Sequence, residues 1–168
     1  RFDHQKGLDI LVERLTELVS RMGPDSPWKF YLAGFPSGQL VVPEILKDRL
    51  IVLGPLSNAR AFLQTLDCYV STSRWEGLPL AVLEAMAQAK PVLLSDVPGH
   101  RYFIEEKVAL GFDLQDSSSF LRAFREVCTN DQVRCNLAQA GFELVRGKHQ
   151  VRHMALATWN LYKTRERV

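Results

Sequence analysis

The stretch from Cys68 to Gly99, CYVSTSRWEGLPLAVLEAMAQAKPVLLSDVPG, constrains the fold more than any other part of the chain. Cys68 to Ser71 and Pro91 to Ser95 are short β-prone runs with a helix-length segment between them. That succession is the pattern of a parallel β-α-β crossover, because parallel neighbours need a long connection, usually a helix. Proline suits a first helical turn, where its missing N–H costs little, and Lys90-Pro91 closes the run, so the helix is expected from roughly Pro79 to Ala89.

This helix is apolar nearly all the way round, which predicts that it is largely buried. Glu84 is its only charge. A buried carboxylate is costly unless donors satisfy it, and a neighbouring Arg or the hydroxyls of a bound ligand could do so. Glu76 precedes the helix in a loop with Arg74, Trp75 and Gly77, near the N-terminal amides that attract anions. Two glutamates eight residues apart are common, and a buried Glu often marks a salt bridge. Spacing alone therefore leaves both a structural and a ligand-binding reading open.

Glu76-Gly77-Leu78-Pro79-Leu80, followed by Leu83-Glu84-Ala85-Met86-Ala87 and Lys90-Pro91-Val92, resembles the Glu-x7-Glu signature of retaining nucleotide-sugar glycosyltransferases with two Rossmann-like domains, the GT-B architecture. The resemblance implies that Glu84 holds the ribose hydroxyls of the nucleotide and that Glu76 contacts the donor sugar. It also implies that the backbone of Gly77, Leu78 and Pro79 lines the sugar and distal phosphate. The loop Gly54-Pro55-Leu56 would lie under the nucleobase and recognise it mainly through backbone groups. Arg1 and Lys6 stand just before an amphipathic helix as Arg-x4-Lys-Gly, which resembles the diphosphate-binding segment of the same family. There the pair would neutralise the departing diphosphate, a task for which basic side chains are suited. With Arg1, Lys6 and the helix N-terminus carrying that charge, no metal or other cofactor is expected beyond the nucleotide-diphosphate sugar itself.

The remaining elements follow in order. Leu8, Leu11, Val12, Leu15, Leu18, Val19 and Met22 form the stripe of an amphipathic helix ended by Gly23-Pro24. Trp28 to Ala33 reads as a strand leading into a Gly34 to Gly38 loop, and Leu40 to Leu46 as irregular or short helical structure. Leu50 to Leu53 reads as a buried strand. Ser57 or Asn58 can cap a helix over Ala59 to Leu66, with Phe62, Leu63 and Leu66 inward. A short strand is expected around Gly111. Ser117 to Ser119 offer caps for a helix through Val127, and two more helices are expected over Gln132 to Val145 and, after Gly147, over Gln150 to Arg165. His149 and His153 read as exposed histidines without a third ligand. Met154, Trp159, Leu161 and Tyr162 read as packing residues. The resemblance implies that the last helix packs toward another domain.

Over 168 residues, 46% hydrophobic and 24% charged residues fit one globular domain with a sizeable core. A net charge of +2 is too mild to argue for nucleic acid and is compatible with peripheral attachment to an anionic membrane. Cys68, Cys128 and Cys135 have no metal-like spacing and read as reduced thiols, which points to the cytoplasm or the cytoplasmic face of a membrane. No run is apolar enough to span a bilayer.

The expectation is thus a Rossmann-like α/β domain, a parallel sheet flanked by helices, spanning residues 1–168 and forming the donor-binding half of a GT-B glycosyltransferase. The acceptor-binding N-terminal half would be absent, since a chain beginning at Arg1 looks like a portion of something longer, and that half would be a partner. The acceptor would be a glycan, a lipid-linked glycan or a small molecule, and the isolated domain would be inactive in transfer. A non-catalytic nucleotide-sugar-binding or scaffold module with the same fold is the alternative. An epimerase or phosphorylase on this architecture would need an acid/base pair or a cofactor lysine in a recognisable context, which the sequence lacks.

Overall fold

The computed structural model describes residues 4–23, 26–34 and 40–165. After a 3-10 turn at His4–Lys6, the order is α1 (Leu8–Met22), β1 (Phe30–Leu32), a 3-10 turn at Glu44–Leu46, β2 (Leu50–Val52) and α2 (Ala59–Thr65). Then come β3 (Tyr69–Ser71), α3 (Leu80–Ala87), β4 (Val92–Ser95), α4 (Pro98–Glu105) and β5 (Leu110–Phe112). The helices α5 (Ser117–Thr129), α6 (Asp131–Lys148) and α7 (Val151–Arg165) end the chain.

Each paired strand runs parallel to its neighbour: β1 with β2, and β4 between β3 and β5. All four residues of β4 are buried, and its alternating side chains feed two cores. Val92 and Leu94 meet Val82, Ala85 and Met86 of α3, Phe103 of α4 and Leu144 of α6. Leu93 faces the other way, toward Leu15 and Leu18 of α1 and Phe120 and Phe124 of α5. Two parallel sheets, β1–β2 and β3–β4–β5, flanked by helices form the Rossmann-like arrangement expected from the β-α-β unit.

The structure corrects several local readings. Pro79 is the N-cap of α3, not its first turn, and Ala89 lies past the end with a positive φ of 51°. The helix is buried on only one side: Val82, Leu83, Ala85 and Met86 are enclosed, whereas Leu80, Ala81 and Glu84 are exposed. An all-apolar composition cannot reveal which stripe of a helix faces the core. Of the two candidate caps for α2, Asn58 is the one used, accepting from the Ala61 amide as expected. Asp116 rather than Ser117 to Ser119 caps α5, because its carboxylate accepts from the Ser118 amide.

Gly147 does not interrupt α6, which continues to Lys148. His149 and His153 are half-buried, not exposed, and the His149 ring lies against Tyr102 and Phe103. Met154, Trp159, Leu161 and Tyr162 are not packed: each is more than half exposed on α7.

Candidate functional site

The carboxyl ends of β1 and β3 open into a crevice of about 270 Å³, lined among others by Lys6, Ala33, Ser73, Glu76, Pro79 and Leu80. Clefts at the carboxyl ends of parallel strands are where open α/β sheets bind ligands.

Two chain segments close this end, and glycine permits it. Gly7 caps α1 in the left-handed conformation (φ 60°), and a Cβ there would lie 2.1 Å from the Thr72 carbonyl oxygen. The contact is fixed by the Thr72 hydroxyl, which donates to the carbonyls of Lys6 and Gly7 at 3.2 and 3.0 Å. Two residues on, the Arg74 amide donates to the Gln5 carbonyl at 2.7 Å. The Arg74 guanidinium grips both carboxylate oxygens of Asp9 and the His4 carbonyl. The Arg74 hydrogen bond outweighs burial and, with the Arg74 charge, lowers the Asp9 pKa to about 2.

This framework delivers Lys6 to Glu76. The ammonium stands 2.6 Å from Glu76 Oε1, the Ser73 hydroxyl donates to the same oxygen at 2.7 Å, and Gln5 Nε2 donates to Oε2 at 3.4 Å. The Glu76 side chain is 9% exposed and that of Lys6 40%. Burial works against the Glu76 charge, yet the Lys6 and Ser73 bonds outweigh it and keep its pKa below the usual carboxylate value. Its side chain is thus satisfied by Lys6 and Gln5 from the α1 entry and by Ser73 of its own loop, with no bond to the α3 amides among the described contacts. Such a carboxylate, ionised at neutral pH beside a cation at a crevice rim, can accept from hydroxyls while its partner attracts an anion.

Glu84 is exposed to solvent on α3, one turn beyond Leu80 of the crevice lining. Burial, and after it the charges of Glu76 and Glu84, push the Tyr69 phenol up to about 12. Gly77 and Leu78 are exposed at the mouth of the loop, whereas Pro79 lines the crevice. Gly54, Pro55 and Leu56 lie outside that lining, and the Gly54 carbonyl accepts from the Gly34 amide at 3.3 Å. Arg1 lies outside the described residues, as do residues 35–39 of the glycine-flanked loop. Among the described residues no three His, Cys, Asp or Glu gather in a way that could hold a metal.

Sequence reasoning missed Gln5, Ser73 and the Arg74–Asp9 clamp. Ser73 carried one signal, its place at the end of a β-run just before the glutamate loop. The clamp carried none, since its partners are 65 residues apart.

Parallel sheets between helices, with a charged crevice at their strand ends, make this a Rossmann-like α/β domain. The chain belongs to the family Glycosyl transferases group 1, whose model matches residues 1–130. A lipopolysaccharide core biosynthesis mannosyltransferase of Rhizobium meliloti is 35% identical over 58% of the chain and 30% of its own length. An Escherichia coli UDP-Gal:alpha-D-GlcNAc-diphosphoundecaprenol alpha-1,3-galactosyltransferase is 37% identical over 52% of the chain and 23% of its own. The solved C-terminal domain of a group 1 family glycosyltransferase from Francisella tularensis shares the fold, with a TM-score of 0.69 and 20% identity over 90% of this chain and 83% of that one. The matches to the two enzymes thus span less than a third of their length.

Proposed function

We propose that this chain is the donor-binding domain of a retaining glycosyltransferase that uses a nucleotide-diphosphate sugar. The observation that carries this reading is the Lys6–Glu76 pair at the crevice rim, a cation and a carboxylate presented together where α/β sheets bind ligands. In the proposal Glu76 accepts from hydroxyls of the donor sugar, and Lys6, with Arg1, neutralises the diphosphate as it leaves. Exposed Glu84 takes the ribose hydroxyls. The backbone of Gly77, Leu78 and Pro79 lines the sugar and distal phosphate, and Gly54 to Leu56 underlie the base. Charge developing on the leaving diphosphate strengthens the Lys6 contact in the transition state, which is where binding energy accelerates a reaction.

In the same proposal an N-terminal half outside residues 1–168 supplies the acceptor site, and the domain by itself binds donor without transferring sugar. Support comes from the Francisella neighbour, itself a C-terminal domain of nearly matching extent. The galactosyltransferase relative, named for UDP-Gal and a lipid-linked acceptor, supports a nucleotide-sugar donor and a glycan or lipid-linked acceptor. The lipopolysaccharide core relative favours a role in lipopolysaccharide or related glycan synthesis; in the proposal the chain works at the cytoplasmic face of a membrane, and no helix among the described residues is long and apolar enough to cross one.

Calorimetric titration of this chain with UDP, GDP, ADP and their sugar conjugates, with Glu84→Ala as control, tests the reading. Selective binding that the control loses supports a donor domain and names its nucleotide. Binding of the same ligands unchanged by Glu84→Ala sinks the assignment of that residue, and binding of none overturns the donor-domain reading for this chain.

A further inference from the structure

Glu76 is held at the rim by Lys6, Gln5 and Ser73, and Ser73 is itself held from below. His100, in the first turn of α4, is fully buried, and its Nδ1 lies 3.1 Å from the Ser95 carbonyl oxygen and 3.2 Å from Ser95 Oγ. A carbonyl oxygen can only accept, so Nδ1 carries the proton. The Ser95 hydroxyl then donates to the Ser73 carbonyl at 2.6 Å, and the Ser73 hydroxyl donates to Glu76 Oε1. Ser95 ends β4 and Ser73 follows β3, so this chain of donors fixes the carboxyl end of one strand against the next.

The backbone is equally tight. A Cβ at Gly99 would lie 2.2 Å from the Glu76 carbonyl oxygen and 2.5 Å from its Cβ, so the start of α4 presses directly on Glu76. With Nδ1 protonated, Nε2 is a bare lone pair, buried without a hydrogen-bond partner among the described residues. Adding a proton there would bury an uncompensated charge. Burial, opposed by the Ser95 carbonyl and Glu76, keeps the His100 pKa below its ordinary value, so the ring stays neutral with its one N–H on Ser95.

We propose that His100 is a positioning residue for Glu76: its Nδ1–H orients Ser95, which fixes the Ser73 peptide and so aims the Ser73 hydroxyl at the carboxylate. The consequence for sugar recognition rests on the donor-domain reading above. Misplacing Glu76 weakens contacts to the sugar while leaving the nucleotide's own contacts intact.

Three substitutions separate this from simple packing. His100→Asn presents an amide N–H near the place of Nδ1–H, His100→Gln presents one near Nε2, and His100→Phe fills the ring volume with neither. Two readouts on the full chain are carboxyl-carbon NMR titration of Glu76, and the affinity ratio of each sugar conjugate (UDP-glucose, GDP-mannose, ADP-glucose) to its bare nucleotide. Expected for Phe and Gln are a Glu76 titration moved toward the ordinary carboxylate value and a ratio reduced about fivefold, the contribution of one neutral hydrogen bond. Bare nucleotide affinity stays within about twofold, and Asn restores both readouts.

Equal behaviour of all three variants, or a Glu76 titration unmoved in Gln and Phe, overturns the proposal. Should Phe fail to fold, the Asn and Gln pair, differing by one methylene, decides alone. Should the Glu76 titration follow the Asn and Gln contrast while the wild type binds no nucleotide, the positioning role stands and the donor-domain reading fails.

Discussion

Lys6 Nζ and Glu76 Oε1, 70 positions apart in the sequence, meet at 2.6 Å across the junction of the α1 entry and the β3–α3 loop. The pair is half-screened, since the ammonium is 40% exposed, and its value to folding is correspondingly small. Its value to ligand binding differs, because an anion entering the crevice meets a cation already fixed by a carboxylate.

On the donor-domain reading proposed above, removing that cation affects turnover more than stability. In the full-length enzyme Lys6→Ala is expected to lower kcat about a hundredfold, corresponding to the loss of about 3 kcal/mol from a charge-assisted bond to the leaving group. The urea midpoint of this chain stays close to wild type. Steady-state transfer assays check the first half and equilibrium unfolding the second; unchanged kcat removes Lys6 from the catalytic assignment.

Glu84 stands on the exposed side of α3, so Glu84→Ala should leave unfolding free energy within about 0.5 kcal/mol of wild type. Nucleotide affinity should nonetheless fall at least about tenfold, as for a lost hydrogen bond to a charged group. Paired calorimetry and urea titration measure the two. A large stability loss would show that Glu84 has a structural partner.

Two glycines are expected to respond in opposite directions to alanine. Gly7→Ala combines a left-handed φ with a Cβ 2.1 Å from the Thr72 oxygen and should cost about 2 kcal/mol or more. Gly147 sits in α6 with nothing within 4 Å of a Cβ, and Gly147→Ala should be neutral or stabilise by up to about 1 kcal/mol. Urea denaturation of both variants checks the sign as well as the size.

Acidification should destabilise the chain through two of its buried or half-buried histidines. Burial lowers the pKa of His100, and burial with the nearby Lys148 charge lowers that of His149, from an ordinary value near 6.5. Below pH 6.5 the unfolded chain binds protons that the folded chain refuses, so stability is full above that value and falls as pH drops toward the folded pKa values. Thermal midpoints measured from pH 7.5 to 5 should decline. His100→Asn should flatten part of that slope. Asp9 adds a separate loss only at the acid extreme, as pH falls from its ordinary 3.8 toward about 2.

Much of the fold was legible because local physics dictates it. The spacing of apolar residues in Leu8–Met22 marked α1 to the residue, and β-runs bracketing an apolar helix marked β3, α3 and β4. The exposed face of α3 was not legible, because a helix whose one charge is Glu84 carries no polar stripe to point outward. The outward position of Met154, Trp159, Leu161 and Tyr162 was hidden for a related reason: an apolar side chain signals burial whether or not a partner is at hand to bury it.

The sequence by itself determined the parallel β-α-β core, the two glutamates eight residues apart, and the lysine before α1. These rest on periodicity, turn chemistry and motif spacing, all of them properties of neighbouring residues. Only the tertiary structure decided that Lys6 reaches Glu76, that Arg74 clamps Asp9 so that it can, and that His100 and Ser95 brace Ser73 beneath it. Those contacts join segments whose approach is set by the close passage of Gly7 past Thr72 and of Gly99 past Glu76, and the packing of distant backbones leaves no periodic trace in a chain.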